Sequence, residues 1–124
     1  MATPLYLATK GGHIGAVWTL LNNGASDIST PGRKWNVLHV ATINGYADIA
    51  ELLIQEGIDV NSIADHGCTP LHIAATWNKI NMVKLLIGKG ADTNARDRMG
   101  GTPMDRAICR RRHKIASLLR NKNE

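Results

Sequence analysis

Five histidines, two cysteines and ten carboxylates give this 124-residue chain the raw material for a metal centre or a nucleophile–base pair. A zinc ion needs three or four such groups converging on one point, with nitrogen or sulfur about 2.0–2.3 Å away. The spacings that announce convergence are missing. There is no Cys-x-x-Cys, no His-x-x-x-His, and no glycine-rich loop ahead of Lys-Ser/Thr to cradle a phosphate. Cys68 and Cys109 become redox-active only if nearby cations make a thiol acidic, and Arg110 beside Cys109 is the feature that offers this; otherwise they read as two reduced thiols. The run Arg110-Arg111-Arg112-His113-Lys114 reads as a phosphate-binding patch or nuclear import signal. It reads equally as the solvated end of a helix pair, its cations opposing the negative end of the helix dipole. Nucleic-acid surfaces interleave aromatic rings with their cations, and no Trp, Tyr or Phe lies beyond Trp77. No catalytic, metal-binding or cofactor-binding constellation emerges, and the expectation is a non-enzymatic chain without a cofactor.

The elements that position these residues follow from a repeat. Four segments align: Thr3-Pro4-Leu5-Tyr6-Leu7-Ala8, Asn36-Val37-Leu38-His39-Val40-Ala41, Thr69-Pro70-Leu71-His72-Ile73-Ala74 and Thr102-Pro103-Met104-Asp105-Arg106-Ala107. Each begins 33 residues after the last, without insertion or deletion. The columns Gly12/Gly45/Asn78/Arg111, Gly24/Gly57/Gly90/Asn123 and Leu20/Leu53/Leu86/Leu119 keep the same register. A period of this size is the mark of a stacked array, in which no unit buries its apolar face alone.

Each unit reads as two short antiparallel helices. Thr ahead of Pro starts the first, the hydroxyl capping free N–H groups while Pro fits the first turn. It stops near the Gly/Gly/Asn/Arg column, where Gly or Asn accepts the left-handed conformation that ends a helix. The second, Ile80 to Ile87 in the third unit, sets Ile80, Val83, Leu86 and Ile87 on one face. Gly90 closes it, and Ala91 to Gly101 forms a projecting turn rich in Asp, Asn and Gly.

The period, the Thr69-Pro70-Leu71-His72-Ile73-Ala74-Ala75 segment and Gly90-Ala91-Asp92-Thr93-Asn94-Ala95 together resemble the ankyrin repeat. The resemblance covers essentially the whole chain and implies an all-α solenoid of four helix pairs. It divides the chain into units of about 1–33, 34–66, 67–99 and 100–124, one domain over 1–124 with the outer two as caps. The third unit is the closest match. In the fourth, Asp105 replaces the motif His, while Arg106 and Arg120 enter columns otherwise aliphatic, as a solubilising cap requires. The resemblance also stacks His39 and His72 one helix pair apart, near ~10 Å, too far to share a metal. Each is expected to hydrogen-bond within the hairpin framework. Asn61 and Asn94 resemble the turn positions that an asparaginyl hydroxylase modifies in such repeats, and also read as Asn satisfying turn backbone.

Composition narrows the rest. Hydrophobic residues make up 44% and charged residues 20%, ordinary for a folded chain, with no Phe and an aliphatic core to be filled by Leu, Ile, Val and Ala. No apolar run approaches the ~18 residues of a membrane span, and the start lacks the basic and apolar stretches of a signal peptide. An intracellular monomer, cytoplasmic or nuclear, is expected. The charge is lopsided: residues 1–62 carry a net −2 and residues 63–124 a net +7.

By the resemblance, partners dock on the concave side, formed by hairpin tips and first helices. Carried over by column, that surface comprises Arg33, Trp35, Ile43 and Asn44; Asp65, His66, Cys68, Thr76 and Trp77; and Arg98, Met99, Cys109 and Arg110. Trp, Ile, Met and Arg at positions the core does not require have the composition of a binding hot spot. The expectation is a protein partner with an acidic or mixed acidic and apolar surface, anchored at Trp35, Trp77 and Met99. Trp35 reads equally as packing over its own hairpin. The alternative is nucleic acid or nuclear targeting through Arg110, Arg111 and Arg112. Trp18 stands in a column with Glu51, Lys84 and Ser117 and is expected to face solvent.

Overall fold

The computed structural model describes residues 2–122, so Asn123, the last member of the second glycine column, lies outside the described residues. Eight helices alternate in two rows: α1 (Pro4–Lys10), α2 (Ile14–Asn22), α3 (Val37–Asn44), α4 (Ala47–Gln55), α5 (Pro70–Thr76), α6 (Ile80–Gly88), α7 (Pro103–Cys109) and α8 (His113–Lys122). Each odd helix packs on the even one that follows it. Down the stack, α1, α3, α5 and α7 touch in turn, as do α2, α4, α6 and α8. Two short antiparallel strands, β1 (Ser29–Thr30) and β2 (Arg33–Asn36), precede α3. The later loops reach the same place without strands, through a 3₁₀ turn at Asp65–Gly67 and a bend near Gly100.

The helix starts behave as their residues dictate. Thr3 and Thr102 accept hydrogen bonds from Tyr6 N–H (3.0 Å) and Asp105 N–H (3.2 Å), and Pro leads α1, α5 and α7. Where Asn36-Val37 replaces Thr-Pro, Asn36 Oδ1 takes the N–H of Leu38 at 2.8 Å and so keeps the cap. All four members of the first glycine column adopt positive φ: Gly12, Gly45, Asn78 (59°) and Arg111 (58°). Asn tolerates that region; Arg111 occupies it at a steric cost.

The core repeats with the sequence. Leu5, Leu38 and Leu71 fill one column, Ile49, Met82 and Ile115 another, Leu53, Leu86 and Leu119 a third, all essentially without solvent contact. Each such side chain contributes roughly 1.5–3 kcal/mol, shared across the junction between units. Leu20 heads the third column but is only half-buried.

The motif histidines tie units together. His39 Nδ1 accepts from Asn36 N–H (3.0 Å), which leaves Nε2–H to donate to Ser62 O (2.9 Å) in the next loop. His72 repeats the arrangement with Thr69 N–H (3.1 Å) and Gly101 O (2.8 Å). Burial holds His39 below its ordinary pKa, although bonds to Ser62 and Asn36 and the charge of Asp65 oppose this. A neutral imidazole suits a bridge that must accept at one nitrogen and donate at the other. In the fourth unit Asp105 only accepts from Thr102 N–H (2.9 Å), which caps its own helix.

Candidate functional site

The first helices carry their N-terminal ends toward the loops, and a furrow runs between loop tips and helix row. Three cavities follow one another along it. The first, about 180 Å³, lies between Tyr6 and Lys10 of α1 and Trp35, Ile43 and Asn44. The second, about 330 Å³, shares Arg33, Trp35 and Ile43 with the first and adds Asp65, His66, Cys68 and Trp77. The third, about 300 Å³, shares His66, Cys68, Thr76 and Arg106 with the second and ends at Arg98, Met99, Cys109 and Arg110. All thirteen residues carried over by column line one or more of these cavities.

Their surroundings differ. Trp35 is half-buried: the Arg33 guanidinium lies 4.1 Å from its ring centroid, and the His39 ring is tilted against it with centroids 5.8 Å apart. It packs over its own hairpin and still lines two cavities. Trp77 is 49% exposed, with Arg110 5.6 Å from its ring, and Met99 is 86% exposed. Such guanidinium–ring contacts are worth about 0.5–1 kcal/mol at exposed sites. They hold both partners in place without consuming the donors of the guanidinium. Asn44 and Thr76 are engaged at home, donating to Val40 O (2.9 Å) and His72 O (2.9 Å).

The loop tips are bound to one another. Arg33 pairs with Asp65 at 3.6 Å, and Lys34 N–H donates to the same carboxylate at 3.2 Å. Arg98 N–H donates to His66 O at 2.8 Å. A Cβ on Gly67 would lie 2.9 Å from Arg98 N, and its φ is +74°, so only glycine lets the two loops approach this closely. Asn61 Oδ1 accepts from Asp92 N–H (2.8 Å), joining successive turns on the far side.

Among the groove residues outside the thirteen, two pair with each other. Arg106 and the buried Asp97 form an ion pair across the third cavity, Arg106 Nε donating to Asp97 Oδ2 at 2.9 Å. Burial pushes the Asp97 carboxyl up, but the Gly101 and Met99 N–H groups and Arg106 outweigh it and hold the pKa below the ordinary value. The sequence signal was Arg106 in an aliphatic column, which demands a partner of opposite charge. Burial pushes the Cys68 thiol up, Asp97 adds to this, and Arg106 opposes it. Cys68 is therefore held as a thiol at neutral pH, opposite to an activated thiolate. Within the basic run, Arg112 Nε donates to Thr76 O (3.3 Å), which ties the last helix pair to α5. Trp18 is 55% exposed on the outer row, beside Ile14 and Leu52.

Among the described residues no group of three or more His, Cys, Asp or Glu is placed to hold a metal ion, and no helix is long and apolar enough to cross a membrane. A family model described as ankyrin repeats (3 copies) matches residues 1–64, and one described as ankyrin repeats (many copies) matches residues 53–107. No curated protein matches the chain.

Proposed function

Given that the chain belongs to the ankyrin repeat family, whose repeats generally serve as non-catalytic protein–protein interaction modules, we propose that it binds a protein segment along the furrow between loop tips and first helices. The observation that carries this reading is the continuity of three cavities lined by all thirteen residues. In this reading the four repeats over 1–124 act as one binding unit.

The lining sets the partner's character. Asp65 and Asp97 are each occupied by an arginine, and at the third cavity Arg98 and Arg110 are cations not paired with carboxylates among the described residues. Trp77 and Met99 stand exposed beside them. The fitting partner presents an aliphatic or aromatic side chain next to Asp or Glu, so that apolar area and charge are both matched. Within the basic run Arg112 is committed to Thr76 O, which takes one of its donors into the fold.

A displayed random-peptide library tests this. Selection on the wild-type chain is expected to enrich sequences with Asp or Glu flanking an apolar residue. A Trp77→Ala/Arg110→Gln variant, shown to be folded by circular dichroism, is expected to bind them at least about tenfold more weakly, the loss of one hot-spot contact. Equal binding to both forms would place the interaction elsewhere.

A further inference from the structure

From Asp65 onward, the carboxylates of the described residues are unevenly placed. Asp65 and Asp97 sit in loop tips, Asp92 in the turn after α6, and Asp105 in the first turn of α7, all at the loop end of the stack. The opposite edge, where each first helix turns into the second, spans residues 76–84 and 109–117. It contains no acidic residue and carries Lys79, Lys84, Arg110, Arg111, Arg112 and Lys114.

A cavity of about 500 Å³ opens on this edge, larger than any of the three in the furrow. Lys79 and Lys84 of the third unit and Lys114 of the fourth line it, together with the amides of Asn44, Asn78 and Asn81. Apart from Asn44 it shares no lining residue with the furrow. No carboxylate and no aromatic ring lines it, and among the described residues none of the three lysines is in an ion pair. Lys79 is half-buried because its stem lies over Gly45: a Cβ on that glycine would sit 3.4 Å from Lys79 Cδ and 3.8 Å from Nζ. The ammonium is thus laid along the cavity wall instead of sweeping freely through solvent.

Three like charges around one concavity repel one another and focus a positive field into it. An anion relieves both effects. Ammonium groups act as point charges with donors in several directions, which suits phosphates in varied orientations, and the asparagine amides add neutral donors. The volume accommodates several phosphates. Without an aromatic ring there is no platform on which bases stack, which disfavours a nucleic-acid strand. We propose that this cavity binds a soluble ligand carrying clustered phosphates, independently of the furrow.

Inorganic tripolyphosphate is the probe, titrated calorimetrically against the whole chain at low and at physiological ionic strength. Two variants of equal charge change are compared: Lys79→Gln/Lys114→Gln and Arg110→Gln/Arg111→Gln. The first pair is expected to weaken binding at least about tenfold and the second no more than about twofold, since only the first lines the cavity. Circular dichroism checks the fold, and Lys84→Gln alone, a change at an exposed helix position, is read if the lysine double variant unfolds. Equal weakening by both pairs would mean diffuse charge attraction and overturn the proposal, as would binding weaker than millimolar at low salt. A single-stranded oligonucleotide or anionic vesicles binding more tightly than tripolyphosphate through the same lysines would also overturn it, by assigning the cavity to a polymer or a membrane surface.

Discussion

The loop at residues 29–36 and the loop at residues 95–101 occupy the same place two repeats apart, yet they are closed by different chemistry. In the later loop Asp97 N–H donates to Gly101 O (2.9 Å), and the Asp97 carboxylate gathers the N–H groups of Met99 and Gly101 and the Arg106 guanidinium. The middle loop keeps the backbone bond, Ala64 N–H to Cys68 O at 2.8 Å, with an apolar residue in the acid's place. In the first loop the matching position is Pro31, which has no N–H to give. Thr30 Oγ1 supplies the bond to Trp35 O instead (3.3 Å), the register shifts between Ser29 and Thr30, and the chain pairs as two strands. The same backbone path is thus held by a charged hub at one end and by a strand pair with a stacked Trp at the other. A loop's fold and its closing interaction are separable.

The hub is where the comparison breaks most violently. The Asp97 side chain is 2% exposed and Arg106 32% exposed, so Asp97→Ala leaves a half-covered guanidinium and two loop N–H groups without their acceptor. A loss of about 2–3 kcal/mol is expected in urea unfolding, the low end for a disrupted buried pair because Arg106 keeps access to water. Asp97→Asn retains an acceptor for the loop and is expected to lose less. Acid gives a second handle. The folded carboxyl lies below its ordinary value of 3.8, so its contribution is full above that value and disappears as pH falls through the lower folded one. The wild type should therefore lose stability faster than Asp97→Asn below about pH 4. Parallel curves for the two would remove the charge from the account and leave only the loop's hydrogen bonds.

At the first loop the expected effect is smaller. Thr30→Val preserves shape and removes the hydroxyl that stands in for the missing N–H. The loss is about 1 kcal/mol, one hydrogen bond to a partly covered carbonyl. Differential scanning calorimetry on the variant reads it directly. No change would mean that water serves Trp35 O equally well, and that the strand pair alone closes the loop.

How much of this was legible follows from which neighbours decide each residue. Repeat boundaries, helix starts and the left-handed column depend on local chemistry, so Thr-Pro and the Gly/Asn positions announced them. The bridging role of His39 and His72 and the membership of the furrow came through the family resemblance, because both depend on how one unit meets the next. What stayed hidden depended on a partner in another loop. Arg106 stood out as a cation in an aliphatic column, but nothing in its own unit named Asp97, nine residues upstream, as the group that would accept it. Pro31 gave no sign that Thr30 would take over its duty. The cationic cavity was hidden for a third reason. Lys114 stood out in the basic run, but Lys79 and Lys84 are ordinary surface residues one by one, and only the stacking that gathers the three into a single cavity gives them meaning.

The mildest test of the comparison lies at Arg33. Its guanidinium faces Asp65 at 3.6 Å with side chains 57% and 32% exposed, and it also covers Trp35 at 4.1 Å. Exposed pairs of this kind contribute about 0–1 kcal/mol, and Lys34 N–H stays on Asp65 when the arginine is gone. Arg33→Ala is expected to lower stability by about 0.5–1 kcal/mol, most of it from the lost ring contact, less than half of the cost at Asp97 although both changes break an arginine–aspartate pair. Its larger consequence is optical: with the guanidinium removed, one face of Trp35 meets water, and its fluorescence should shift to longer wavelength, read in a background where Trp18 and Trp77 are replaced by Phe. A stability loss equal to that of Asp97→Ala would show that burial does not set the difference between the two loops. The two closures would then be equivalent, and the strand pair of the first loop would depend on its ion pair as fully as the last loop depends on its hub.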